Sequence, residues 1–368
     1  MRITSITLTL VALFVCAMPT SAKETMTIGV ILPLSGNQAK SGEDLRDVIR
    51  MRMEELKAKN TKYNYKIVFE DDQGEPRQTI NAFWKLLNVD HIDMAMSFYA
   101  TPGAALTPIA NNKKIIHLGL AAVPGVAKRP YSFNVYAKSD PAAALSSDFC
   151  KAMSYRRVAM INMKNAAAIG FEKAFLQKAP YQGITVMDKE YFAPGEKDFR
   201  VAILKIRESN PDALFIESLD PEASIIRKQM KEIGYNVPIT SIGFWGTFSN
   251  PDPSFFGYPY VEAIASKEFA DRFSEKYHHK SVYLTGFAYD SLGMYIDVCE
   301  KFSGNGKPTT DQVAVALRAV KDYPGVMGNL TPDTDGWFET PLSLIVLTPE
   351  GRREISLQEA MKNAQSER

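Results

Sequence analysis

Side chains able to do covalent or metal chemistry are few in this chain and scattered. Four histidines occur, His91, His117, His278 and His279, and none stands in a context that joins it to a nucleophile. There is no Gly-Xaa-Ser-Xaa-Gly elbow and no paired-histidine helix motif of a zinc protease. His278 and His279 are adjacent, so on a helix they diverge, and they read as a solvated helix end. His117 falls inside an apolar run, where packing or an indirect supporting role is the expectation. Gly304, Asn305, Gly306 and Lys307 hint at a phosphate loop, but Pro308 follows the lysine and Lys301 stands where the loop's first glycine belongs. Asn329, Leu330 and Thr331 match a glycosylation acceptor that Pro332 follows.

Recognition is the chemistry left. Aromatic and apolar side chains fall where strands give way to loops: Phe98 and Tyr99, then Phe244 and Trp245, with Glu217 and Asp220 near another strand end. Apolar walls with a few polar groups describe small-ligand sites. A plainer reading stays open beside it: Phe244 and Trp245 pack between structural units, Glu217 is an exposed or salt-bridged carboxylate, and Ser35, Asn37 and Gln38 are capping and loop residues.

The elements that must position these residues alternate in type. Strand-like runs at 26–34, 65–70, 92–98 and 115–121 are separated by helix-like runs, the pattern of a parallel α/β sheet. The first helix carries Leu45, Val48, Ile49, Met53 and Leu56 at helical spacing, with Arg46, Arg50 and Glu54 on its solvated face. A second alternation follows Ser139, Asp140 and Pro141, with strands at 158–163, 184–192, 213–216 and 239–243. Its helix at 221–233 has Asp220 as the expected cap and ends at Gly234. A long helix at 286–302 and another at 311–320 should return to the first unit. A strand at 328–332, a turn at 333–336, a strand at 342–347 and a charged helical tail close the chain. Ligands of open α/β sheets bind beyond the carboxyl ends of strands, which in a two-lobed protein means the cleft between lobes.

Ahead of this pattern lies an export signal: Arg2, an apolar stretch at 6–18, and the small residues Thr20, Ser21 and Ala22, with cleavage expected after Ala22. The stretch is well short of the ~20 residues a spanning helix needs, so no membrane insertion is expected after processing. Phe14 and Val15 stand where a lipid-attachment signal carries small residues, which argues against lipoprotein anchoring at Cys16. Loss of Arg2 lowers the 43 basic residues to match the 42 acidic ones, so no long-range field draws the chain to nucleic acid. Cys150 and Cys299 remain; a disulfide is permitted, but two buried free thiols are expected, because a chain this long has core enough without one.

Taken in order, several segments resemble one family, the type I periplasmic substrate-binding proteins of ABC importers, in the branched-chain amino-acid group. The carriers are Leu34, Ser35, Gly36, Ser41 and Gly42; Glu70, Asp71, Asp72 and Pro76; the strand and loop at 115–122; Gly195, Glu196, Lys197, Asp198 and Phe199; Gly286, Phe287, Ala288, Tyr289 and Asp290; and the strand and turn at 328–336. The resemblance covers nearly all of the chain beyond residue 22. It implies an α/β, type I periplasmic-binding-protein fold, two Rossmann-like lobes with parallel sheets joined by a three-segment hinge. The expected division is a signal at 1–22, lobe 1 at 23–137 and 265–325, lobe 2 at 138–264 and 326–351, and a tail at 352–368.

Function is implied in the same way: a non-catalytic periplasmic receptor, without cofactor or metal, that captures an amino acid or related small carboxylate or amide and delivers it to the membrane permease of an ABC importer. A ligand-sensing receptor feeding a membrane sensor is the alternative, and an exported enzyme the remote one. The ligand-binding residues expected are Ser41, Phe98, Tyr99, Ala100, Thr101, Ala121, Ala122, Glu217, Phe244 and Trp245. The family's carboxylate-holding hydroxyls align with Ala100 and Val123, so Thr101 and the backbone at Ala121 and Ala122 would have to serve. Its ammonium-binding glutamate aligns near Gly243 and Phe244, so Glu217 or Asp220 would have to replace it. The segment at 250–262 is expected to reshape the rim.

Overall fold

The computed structural model describes residues 23–248, 251–280, 284–304 and 306–366. The expected export segment with Cys16, and Asn250 and Asn305, lie outside the described residues.

Strands β1 (Thr25–Leu32), β2 (Asn64–Asp71), β3 (Met94–Phe98), β4 (Ile116–Leu120) and β5 (Ser132–Val135) alternate with helices α1 (Ala39–Lys57), α2 (Pro76–Asn88) and α3 (Ala100–Lys113). β1, β3, β4 and β5 are buried almost from end to end, as strands covered by helices on both faces must be. The helical stripe of α1 buries Leu45, Val48, Ile49 and Leu56 as its spacing predicts. Gly42 is required there: any Cβ would overlap the Pro33 carbonyl, so the helix can approach the end of β1 this closely only without one.

The second unit comprises α4 (Ser139–Ala152), β6 (Arg157–Met163), α5 (Ala166–Lys178), β7 (Thr185–Phe192), α6 (Arg200–Glu208), β8 (Ala213–Glu217), α7 (Glu222–Glu232), β9 (Ile239–Thr240) and β10 (Tyr260–Glu262). The chain then returns through α8 (Lys267–Tyr277), α9 (Leu284–Glu300), α10 (Thr310–Arg318), β11 (Tyr323–Gly325), β12 (Gly328–Pro332) and β13 (Trp337–Glu339). It ends in β14 (Ser343–Thr348), β15 (Gly351–Ile355) and α11 (Leu357–Ser366). α9 is apolar almost all round because it is enclosed by α1, α10 and β4.

One sheet has the order β11-β12-β13-β5-β4-β3-β1-β2, the second β7-β6-β8-β9, and the third β10-β14-β15. The second and third join through the Ile242–Val261 bridge. The fold is therefore α/β, and the chain passes between the lobes three times: after β5, after β10 and after β13.

The expected third crossing, between 325 and 326, is corrected. β12 pairs antiparallel with β11 and β13, and β13 pairs parallel with β5, so the chain stays in the first sheet through Glu339. Asp333 closes the turn before β13 by accepting the N–H groups of Asp335, Gly336 and Trp337, each at 2.9 Å. The Trp337 indole then donates to the Tyr136 carbonyl at 2.6 Å, tying the third crossing to the first. The tail is not wholly helical either, because residues 351–355 form β15 on the edge of β14. Pro221, not Asp220, holds the cap position of α7; the Asp220 carboxylate instead accepts the Ser224 hydroxyl at 2.8 Å. Cys150 and Cys299 are buried and unpaired, in helices of different lobes.

Candidate functional site

At the end of β3 the backbone turns sharply. Tyr99 has φ 69° and ψ 158°, a region that L side chains avoid, and it is held there from three sides. Its N–H donates to the Leu120 carbonyl at 3.1 Å and its carbonyl accepts the Gly103 N–H at 3.1 Å. Its hydroxyl donates to Ser41 Oγ at 2.8 Å, across to the first turn of α1. Burial pushes the phenol up to about 12, so it remains a donor.

This turn launches α3, which no side chain caps. Pro102 lacks an N–H and Gly103 is already bonded, so the amides of Ala100 and Thr101 are the ones helix geometry leaves over. Ala100 is half-buried and Thr101 exposed. The positive end of the helix dipole and free amides together favour an anion.

Beneath α3, Ser97 Oγ lies 2.7 Å from His117 Nε2, with Thr107 at 3.5 Å from Nδ1. This has the outline of a nucleophile and base, but all three residues are only 1% or less exposed and no substrate reaches them. Burial lowers His117 to about 3, so it stays neutral and supports α3 from below.

After β4, the backbone groups at Ala121 are not free for a ligand. The Asn134 side chain accepts the Ala121 N–H at 3.1 Å and donates to its carbonyl at 2.8 Å. The Ala122 carbonyl accepts the Ser139 hydroxyl at 3.4 Å, just past the first crossing. The tip of α5 approaches from lobe 2: a Cβ on Gly170 would stand 3.9 Å from the Ala122 oxygen. Phe171 beside it meets Phe244 edge-to-face, with centroids 6.0 Å apart.

Two expected ligand residues belong to the interior of lobe 2. Trp245 is fully buried; its indole donates to the Ile216 carbonyl at 3.1 Å, and its ring packs on Phe255 and Tyr260. Glu217 is neither exposed nor salt-bridged. It is fully buried, accepting the Ile242 N–H at 2.9 Å and the Ser241 hydroxyl at 3.2 Å, and burial pushes it up to about 8. Phe98 likewise lies wholly in the core of lobe 1.

The structure thus brings Ser41, Tyr99, Ala100 and Thr101 together at the strand ends of lobe 1, with Ala122 facing the tip of α5, and withdraws Phe98, Glu217 and Trp245 into the two cores. Gly170, Phe171, Asn134 and Ser139 are the residues that sequence reasoning missed. The only local signal for the first two is the small-residue run Ala166 to Ala168 at the start of α5, capped by Asn165 through the Ala168 N–H at 2.8 Å. A groove lined by Met294, Val298, Phe302, Ala316, Val320 and Tyr323 is a feature of lobe 1 alone.

A family model described as periplasmic binding protein matches residues 25–351. The chain belongs to the periplasmic binding protein family. This periplasmic binding protein is similar to the Leu/Ile/Val-binding protein BraC3 of Rhizobium johnstonii, with 26% identity over 354 residues that take in 90% of this chain and 93% of that one. The leucine-binding protein LivK of Thermotoga maritima shares its fold at a TM-score of 0.79 and 19% identity, covering 90% of this chain and 98% of that one. A solute-binding protein of an R. palustris ABC transporter in complex with benzoate does so at 0.81 and 16% identity, covering 90% and 96%. These likenesses establish the type I, two-lobed fold. The family is one of solute-binding receptors, and no helix among the described residues of this member is long and apolar enough to cross a membrane.

Proposed function

We propose that this protein is the periplasmic, non-catalytic receptor of an ABC importer, closing its lobes on a small organic carboxylate and delivering it to the membrane permease. The observation that carries the reading is the uncapped start of α3, aimed from lobe 1 at the cleft with Tyr99 and Ser41 beside it. Relatives lend support on both sides of the ligand question: one is named for leucine, isoleucine and valine, and a structural neighbour holds benzoate. Both ligand types carry the carboxylate that such a helix end suits.

Thermal unfolding of the processed protein against amino acids, aliphatic and aromatic carboxylates, and their amides tests this. A ligand at one hundred times its dissociation constant adds about 2.7 kcal/mol and raises the midpoint visibly. Carboxylates should do so and their amides should not. A panel in which amides act as well as acids removes the helix end from the site, and hydrolysis of an ester or amide by the pure protein overturns the receptor reading.

A further inference from the structure

Taking the cleft of the preceding section as the site, we infer that its ligand is a carboxylate without an α-ammonium group. An ammonium enclosed between lobes needs a carboxylate left free to meet it. The stretches Tyr99 to Thr101, Ala121 to Val123 and Gly243 to Phe248, which follow β3, β4 and β9, contain no acidic residue, and Asp252, farther along the last of these loops, accepts the Ser254 N–H at 2.8 Å. Gly243 could not carry one in this geometry: its φ is +84°, and a Cβ there would stand 3.2 Å from the Phe171 ring.

Acids at the neighbouring strand ends serve their own lobes. Asp71 accepts the N–H of Leu34 at 2.8 Å and the hydroxyl of Ser35 at 2.6 Å, fixing the loop after β1. Asp72 takes the Gly74 N–H at 3.0 Å and the Thr79 hydroxyl at 2.8 Å. Glu217 holds Ile242 and Ser241, and Asp220 holds Ser224. Glu43, Glu75 and Asp140 are exposed to water. Among the described residues, two buried acids keep an unpartnered oxygen: Asp44 Oδ2, near Tyr99, whose other oxygen already meets the Lys40 ammonium at 2.9 Å, and Glu262 Oε1, packed against Gly246 inside lobe 2, whose other oxygen accepts the Tyr260 hydroxyl at 3.1 Å and meets Arg352 at 3.4 Å. Every position between 23 and 366 outside the described residues is Ser, Asn, Val or Tyr, so no acid is overlooked there.

What the cleft offers in place of a counter-charge is hydrocarbon. Phe171 and Phe244, 2% and 4% exposed, meet edge-to-face in lobe 2, directly behind Gly170, the residue of α5 that approaches the Ala122 carbonyl. Such an apolar wall suits an alkyl or aryl group and offers nothing to an ammonium. Each missing charged hydrogen bond is worth a factor of roughly 10 to 100 in affinity.

Calorimetric titration with matched pairs decides the matter: leucine against 4-methylpentanoate, and phenylalanine against 3-phenylpropanoate, with benzoate alongside. The acid lacking the amino group is expected to bind roughly 100-fold more tightly than its amino-acid partner in at least one pair. Asp44→Asn should leave that affinity within about twofold. Amino acids that bind as tightly as their partners overturn the inference while leaving the carboxylate reading intact, and loss of that binding in Asp44→Asn would name the ammonium's anchor. Failure of every carboxylate to bind overturns the carboxylate reading, and the inference falls with it.

Discussion

The Asn134 side chain spans both backbone groups of Ala121, one strand over, accepting at 3.1 Å and donating at 2.8 Å. The loop after β4 leaves its sheet at this point, so its amide and carbonyl lose their ladder partners, and the buried side chain replaces them both. Asn134→Ala should therefore lower stability by about 1 to 3 kcal/mol, the cost of leaving buried polar groups unpaired. Asn134→Asp keeps the acceptor and loses the donor, so it should also destabilise. Urea unfolding of both variants checks this; an unchanged midpoint for Asn134→Ala would mean that water takes over both bonds.

Trp245 is predicted to matter for folding and not for binding. Its indole is enclosed by Phe255, Tyr260 and the Ile216 carbonyl. Trp245→Ala leaves a large cavity and should lose about 3 to 5 kcal/mol. The affinity of the fraction that still folds should stay within about twofold. A clear loss of affinity at full stability would bring the side chain back to the cleft.

Much of the fold was legible because parallel strands buried on both faces announce themselves as apolar runs, as 26–34 and 115–121 do. β5 and β13 were not, since each is short and takes its place from partners distant in sequence: Trp337 pairs with Asn134 and Phe338 with Val135. That pairing also moved the third crossing. Around the candidate site, the places of Tyr99 at a strand end and of Ser41 at a helix start could be read. The commitments of Glu217 to Ile242 and of Trp245 to Ile216 could not, because an acid or indole beside a loop looks the same in sequence whether it faces the cleft or the core. A positive φ at Tyr99 is likewise invisible in a residue type that rarely adopts one.

Two buried groups pull the pH dependence of stability in opposite directions. Glu217 rises from an ordinary 4.5 to about 8 in the fold. Between those values the unfolded chain has lost this proton and the folded one has kept it, so stability falls as pH rises and levels off above about 8. His117 drops from 6.5 to about 3, so its contribution is full above 6.5 and is lost as pH falls toward 3. Glu217→Gln should flatten the alkaline slope, leaving a residue from Glu262 and Asp290, each raised to about 7. His117→Asn should flatten the acid slope alone. Denaturant midpoints measured across pH 3 to 9 separate the two, and a variant that shifts the whole curve without changing its slope would contradict the assignment.

Tyr99 allows a test of backbone strain free of side-chain effects. Its φ of 69° with ψ 158° suits glycine, and the fold tolerates tyrosine because Leu120, Gly103 and Ser41 hold it on three sides. Tyr99→Ala and Tyr99→Gly both delete the ring and the Ser41 hydrogen bond. Only glycine also relieves the strain. In most helices and strands alanine is the more stabilising of the two; here the order should invert, with Tyr99→Gly more stable than Tyr99→Ala by about 1 to 2 kcal/mol. Both should weaken carboxylate binding, since each frees the start of α3 from α1. Chemical unfolding gives the stability order, and alanine at or above glycine would show that the turn at the mouth of α3 is unstrained in solution.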